Sequence, residues 1–218
     1  MKIISEEKLF FWAFVCNLLI FLLEIVGLVI AAHEVGVGLF FYYTELSNIL
    51  LLISSGSALF TFYANVVKGC GTNFPTHLLR FASTSANTLT FVVVLFVLMP
   101  TSSNPLSLLI SGSMLFHHTL CPLLSLVSFL FFEKEEACHL KYSHVPLTLI
   151  FTVLYGLVFL LLNVFRVYDG PYFFLKVYDR PAWATVLWLV GILAFSYGID
   201  FLLCLGNKKI FDRGVIHG

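Results

Sequence analysis

Two histidines, His117 and His118, stand side by side near the middle of an apolar stretch spanning residues 105–132. A helix over that stretch crosses a bilayer, and an ionisable group at mid-membrane depth is costly enough to mark a candidate functional site. Imidazole titrates near neutrality, so its most direct chemical use is as a general base. A base needs a nucleophile to deprotonate. Thr44 and Ser47, in another apolar stretch, offer hydroxyls, and Cys121, three residues beyond His118, offers a thiol. A hydroxyl becomes a competent nucleophile when imidazole accepts its proton, so Thr44 (or Ser47) with His118 is a plausible pair. Asn48, one helical turn from Thr44, carries an amide that can donate to a developing oxyanion. Asn87 is a supporting polar residue of the same kind. Cys121 has a simpler reading as a small buried packing residue.

These residues must be positioned by helices. Sixty per cent of the chain is hydrophobic, 11% is charged, and the mean hydropathy is +0.98. A soluble domain needs more polar surface than that. Six apolar runs, at 9–32, 39–67, 77–99, 105–132, 144–167 and 181–205, each match the ~20 residues that span a ~30 Å hydrocarbon core. The expected fold is therefore all-α, a single six-helix transmembrane domain over 1–218 with no separate soluble domain. Lys2 and Lys8 precede the first run as in a signal peptide. Its length, its internal Glu24 and its lack of a small-residue cleavage site instead indicate a retained span.

Nine of the twelve lysines and arginines (Lys2, Lys8, Lys68, Arg80, Lys134, Lys141, Lys208, Lys209, Arg213) fall on the side shared by both termini. Arg166, Lys176 and Arg180 fall on the other. The positive-inside rule then places both termini in the cytoplasm. A net charge of zero with no dense basic run gives no pointer to nucleic acid. Cys70 and Cys138 lie in loops expected to be cytoplasmic, and Cys16, Cys121 and Cys204 in spans, so no disulfide framework is expected. The aromatic segment 168–180 reads as a structured cap at the opposite interface.

Polar residues inside the spans recur at helical spacing. Thr44, Ser47, Asn48 and Ser55 share one face, as do Arg80, Ser83, Thr84 and Asn87. Ser107, Ser111, Met114, His118, Cys121 and Ser125 form a third stripe, with His117 offset by about 100°. Ser196 with Asp200, and Asn17 with Glu24, extend the pattern to two more helices. Ser, Thr and Asn also serve as interhelical hydrogen-bond glue worth ~0.6 kcal/mol each, which accounts for much of the pattern without any chemistry. The charged members demand more, and together they predict a hydrated interior lined by Asn48, Asn87 and His118. Arg80 and Asp200 are each expected in an ion pair.

Other chemistries fit less well. Neighbouring histidines point about 100° apart and cannot sandwich one haem. His77, His139 and His144 could approach at the cytoplasmic edge as a metal site, but histidines at helix ends are common without metal. A carrier or channel would use the same polar interior without a nucleophile. A structural or partner-binding role needs neither.

The sequence resembles the androgen-induced gene product family, which includes the androgen-dependent TFPI-regulating protein and many prokaryotic membrane proteins. The resemblance rests on Tyr-Thr-Glu-Leu-Ser-Asn at 43–48, on His-x-x-x-Pro at 118–122, and on the six-run pattern. It implies an intramembrane hydrolase that cleaves lipid esters such as fatty acid esters of hydroxy fatty acids, with Thr44 as nucleophile and His118, or His117, as base. It implies no cofactor and a lipid-like substrate drawn from the bilayer. Glu-Leu-Ser-Asn after Thr44 is closer to the prokaryotic branch. At 1.5 Å per residue, Thr44 lies about 8 Å along its run from residue 39, and His118 about 20 Å from residue 105. Straight helices would leave the two at different depths unless the second begins nearer Val35 or the fourth protrudes.

Overall fold

The computed structural model describes residues 6–68, 74–133 and 140–215, and every regular element among them is helical. Lys2, Cys70, Lys134, Cys138 and His139 lie outside the described residues. Helix α1 covers Glu6–Val35 and passes through a 3-10 turn, Gly36–Phe41, into α2, Tyr43–Lys68. Helix α3, Phe74–Val93, continues into a π-turn, Val94–Leu98. The single-turn α4, Ser107–Ile110, precedes a second π-turn, Leu115–Leu120, which runs into α5, Cys121–Phe131. Helices α6, Val145–Val164, and α7, Ala182–Val215, follow.

Among the described residues, five stretches are long and apolar enough to cross a membrane: Glu6–Phe41, Tyr43–Val67, Phe74–Thr101, Tyr142–Val164 and Ala182–Phe211. The chain is an all-α, multi-pass membrane protein. Its polarity is arranged for lipid: Phe60, Val153, Leu187 and Leu202 face outward, while Asn17, Glu24, Asn48, Arg80, Asn87 and Asp200 are buried. Helix α3 is central and packs against α2, α5, α6 and α7. Its run of Ser83, Thr84, Ser85 and Ala86 is buried, and such small side chains let neighbouring backbones approach closely.

The fourth run departs from the expected single helix over 105–132. It breaks after Ile110, and Gly112 adopts φ +51°, a left-handed conformation that favours glycine. The Glu34 carboxylate, near the end of α1, fills the space where a side chain on residue 112 would project. Glu34 also accepts the Ser113 hydroxyl at 2.5 Å and its backbone N–H at 3.4 Å, satisfying donors at the restarted helix. The apolar helix that remains, Leu115–Phe131, is shorter than the other five. Ser107 and Ser111, expected on its polar stripe, fall before or at the break and lie outside the buried core.

Both π-turns precede a proline. A proline has no N–H to offer the turn before it, and widening that turn re-registers the remaining bonds. At the second π-turn the Cys121 N–H bonds to the Phe116 carbonyl, five residues back. The expected aromatic cap is present: Tyr168 stacks on Phe41, and Tyr172 stacks on Phe174, at centroid distances of 4.7 and 5.2 Å. Asn163 holds the segment from beneath, donating to the Asp169 carbonyl and accepting the Val177 N–H.

Candidate active site

Thr44 sits in the first turn of α2. Tyr42 is extended, and its carbonyl accepts the first helical bond, from the Leu46 N–H. The N–H groups of Tyr43, Thr44 and Glu45 precede that bond and form the positive end of the helix. Thr44 lines a cavity of about 250 Å³ whose other walls include Leu89, Val93, Leu160, Leu189 and Leu193. Tyr172 reaches this spot from the cap. Burial pushes its hydroxyl up to about 12, opposed by hydrogen bonding with the Thr44 side chain and with the backbone of Tyr43 and Thr44.

The two sequence motifs meet through one amide. The Cys121 N–H is spent on Phe116, and residue 122 is proline, so the His117 carbonyl has no helical donor. The Asn48 Nδ2 donates to it at 3.3 Å and, at 2.8 Å, to the Thr44 carbonyl. One side chain thereby ties the head of α2 to the turn that carries both histidines. Ser47 donates to the Thr44 carbonyl at 2.8 Å and pairs with Thr90 at 3.2 Å. Asn87 donates to the carbonyls of Ser47 and Ser83 at 2.8 and 3.0 Å.

His118 is buried, with Nδ1 2.5 Å from the Leu108 carbonyl. The break in the fourth run makes this contact possible, because α4 folds beside the π-turn instead of continuing it. A carbonyl only accepts, so in the neutral ring Nδ1 carries the hydrogen and Nε2 keeps its lone pair. The geometry suits a base, but no hydrogen bond joins His118 to Thr44 among the described residues, and His118 does not line the Thr44 cavity. The expected common interior of Asn48, Asn87 and His118 is therefore not what the cavity presents. Asn48 and Asn87 are fully buried in helix contacts, and the cavity walls are mainly apolar.

His117 has a different setting. It is fully buried, with Nδ1 2.9 Å from Glu45 Oε2 and Nε2 3.6 Å from Glu24 Oε2. Neither approach is aligned as a hydrogen bond, and both Glu24 oxygens and both ring nitrogens lack a hydrogen-bond partner. Cys121, fully buried, lies against Glu24.

Arg80 does form an ion pair, with Glu133, at 2.8 Å through Nη2 and 3.1 Å through Nε. Glu133 also accepts from Asn17 and Ser128, at 3.1 and 2.6 Å. Burial opposes its ionisation, but Arg80 and these donors outweigh it and hold the carboxyl below its ordinary range. Asp200 departs from expectation: it has no cationic partner among the described residues and instead accepts the hydroxyls of Ser85 and Thr148. At the other proposed histidine cluster, His77 packs on Phe129 and His144 on Phe74. No three His, Cys, Asp or Glu among the described residues are disposed to hold a metal.

Sequence reasoning missed Glu133, Glu34, Gly27 and Tyr172. Asn48 was singled out as an oxyanion donor, and the structure instead spends its amide on the carbonyls of Thr44 and His117. No protein-family model, curated protein or solved structure matches the chain.

Proposed function

We propose that the protein is an intramembrane hydrolase of lipid esters, with six spans and both termini in the cytoplasm, in which Thr44 is the nucleophile and His118 the base. The sixth span in this reading is the broken fourth run. The observation that carries the proposal is the placement of Thr44, at the head of α2 and on the wall of an apolar cavity. A fatty acyl chain fits such walls, and its ester carbonyl would then lie against the N–H groups that open α2. Those groups supply what a developing oxyanion needs.

In this scheme the ester enters sideways from the bilayer. His118 Nε2 takes the Thr44 proton, through an intervening water, as Oγ1 attacks the carbonyl carbon. The oxyanion forms at the N-terminus of α2. The C–O bond to the alcohol breaks, the alcohol leaves with the proton from His118, and the acyl group stays on Thr44. Water, deprotonated by the same nitrogen, then attacks the acyl carbon; the bond to Thr44 Oγ1 breaks, that oxygen takes the proton back from His118, and the fatty acid leaves. The Thr44 and His118 side chains, the N–H groups that open α2 and water supply these steps. Fatty acid esters of hydroxy fatty acids are the substrate class to try first, on the resemblance of residues 43–48 and 118–122.

Fluorophosphonate labelling mapped by mass spectrometry tests the nucleophile. The label is expected on Thr44, and Thr44→Ala should remove both labelling and ester hydrolysis while the protein stays folded. Label on Ser47 or Cys121 would move the nucleophile there. A second reading, a membrane carrier, draws on the interrupted fourth run, since discontinuous helices build carrier sites. Uptake into vesicles by wild type, with no hydrolysis of any lipid ester, would favour it.

A further inference from the structure

Glu24 and Glu45 approach one imidazole from opposite sides and from different helices. The titratable groups facing His117 are Glu24 on α1, Glu45 on α2, and its near neighbours His118 and Cys121. Neither glutamate is paired with a lysine or arginine among the described residues, and the buried Arg80 is taken by Glu133. The charges can be counted. Two ionised carboxylates and a neutral imidazole leave two uncompensated negative charges in the interior of a membrane protein, and an imidazolium still leaves one. Taking even one bare carboxylate out of water is costly, and like charges this close do not both persist.

Hydrogen-bond chemistry gives the same count. Carboxylates only accept, and a neutral imidazole has one N–H for two facing carboxylates, so one contact would set a lone pair against a lone pair. Both Glu24 oxygens, Glu45 Oε2 and both ring nitrogens are buried without a partner in hydrogen-bond geometry. That closeness is built in. Gly27 of α1 lies against the ring, and a Cβ there would stand 2.5 Å from His117 Nε2. The other side of the turn is held by Asn48 at the His117 carbonyl.

We propose that Glu24, His117 and Glu45 form a proton-binding site distinct from the Thr44 site, whose neutral state is an ionised Glu45, an imidazolium at His117 and a protonated Glu24. Each contact then has a hydrogen and the net charge is zero. The exchangeable ligand is the Glu24 proton: its departure leaves the carboxylate and one negative charge, and its return restores neutrality. His117 connects the two carboxyls through opposite nitrogens, so the same proton can be relayed between α1 and α2.

Infrared spectroscopy of the purified protein in lipid vesicles tests this without any substrate. The carbonyl stretch of a buried carboxylic acid is expected at neutral pH, shifted in heavy water, and lost in Glu24→Gln. It should survive Asp200→Asn, a buried acid that likewise has no cationic partner among the described residues. Gly27→Ala, which keeps every titratable group but pushes the imidazole away, should displace the band. If Glu24→Gln fails to fold, as judged by gel filtration and circular dichroism, Glu24→Asp should shift the band instead. A wild type with no such band at neutral pH, or a band unchanged by all three Glu24 and Gly27 variants, would overturn the proposal. Loss of the wild-type band on adding sodium chloride at fixed pH would make the occupant a sodium ion and would equally overturn it.

Discussion

Two buried clusters of ionisable groups, around Arg80 and around His117, are built to opposite rules. Around Arg80 each charge finds its complement: the guanidinium makes two bonds to Glu133, which also accepts from Asn17 and Ser128. Around His117 two carboxylates crowd one imidazole, and most of their polar atoms have no hydrogen-bond partner. The first set has the completeness of a structural lock. The second leaves a demand unmet, which is what a site that binds and releases something requires.

Breaking the lock should have the largest effect. Arg80→Leu leaves Glu133 buried and unpaired, for an expected loss of about 3–5 kcal/mol, read as a fall in thermal stability in detergent. The pH response should also change sign. In wild type the folded Glu133 carboxyl sits below its unfolded value, so the stability it contributes is present above the ordinary carboxylate range. That contribution is lost as pH falls through the folded value, which lies below the ordinary carboxylate range. In Arg80→Leu only the bonds from Asn17 and Ser128 still oppose burial, so acidification should relieve the destabilisation.

A smaller effect is expected at the amide joining the two motifs. Asn48→Ala strands the His117 carbonyl and should cost about 1–3 kcal/mol, again by thermal unfolding. At the incomplete cluster the result should contrast with the lock: Glu24→Gln should change stability by less than about 1 kcal/mol at neutral pH, because it replaces a protonated acid by an amide of the same shape. A loss as large as that of Arg80→Leu would show that the two clusters are not different in kind. Thr44→Ala should be the mildest, below about 1 kcal/mol, since its hydroxyl borders a cavity, while ester hydrolysis falls to background.

Much of the fold was legible because the hydrophobic pattern is coarse and strong. Five of the six runs appear as long apolar helices, and the polar residues Asn17, Glu24, Asn48, Arg80, Asn87 and Asp200 are all buried as their spacing suggested. The fourth run was not legible. Its break depends on Gly112 turning left-handed around Glu34, a contact between residues far apart in sequence. The partner of Arg80 was hidden for a similar reason, since Glu133 lies just past the apolar run and reads as a loop residue. Thr44 and His118 were singled out by type and spacing, but sequence could not say that His118 would turn to Leu108 or that Asn48 would hold the two motifs together.

Val153 and Leu157 wall the cavity beside Thr44 and also belong to the outward, lipid-facing side of α6. An occupant of that space arrives through hydrocarbon, so its occupancy follows its mole fraction in the membrane and not its concentration in water. Ordinary phospholipid, in vast excess, is a standing competitor for the same walls. For the proposed hydrolase, a Michaelis constant measured in micelles should therefore rise in proportion to the detergent added, and two laboratories using different amounts of detergent would report different affinities for an identical protein.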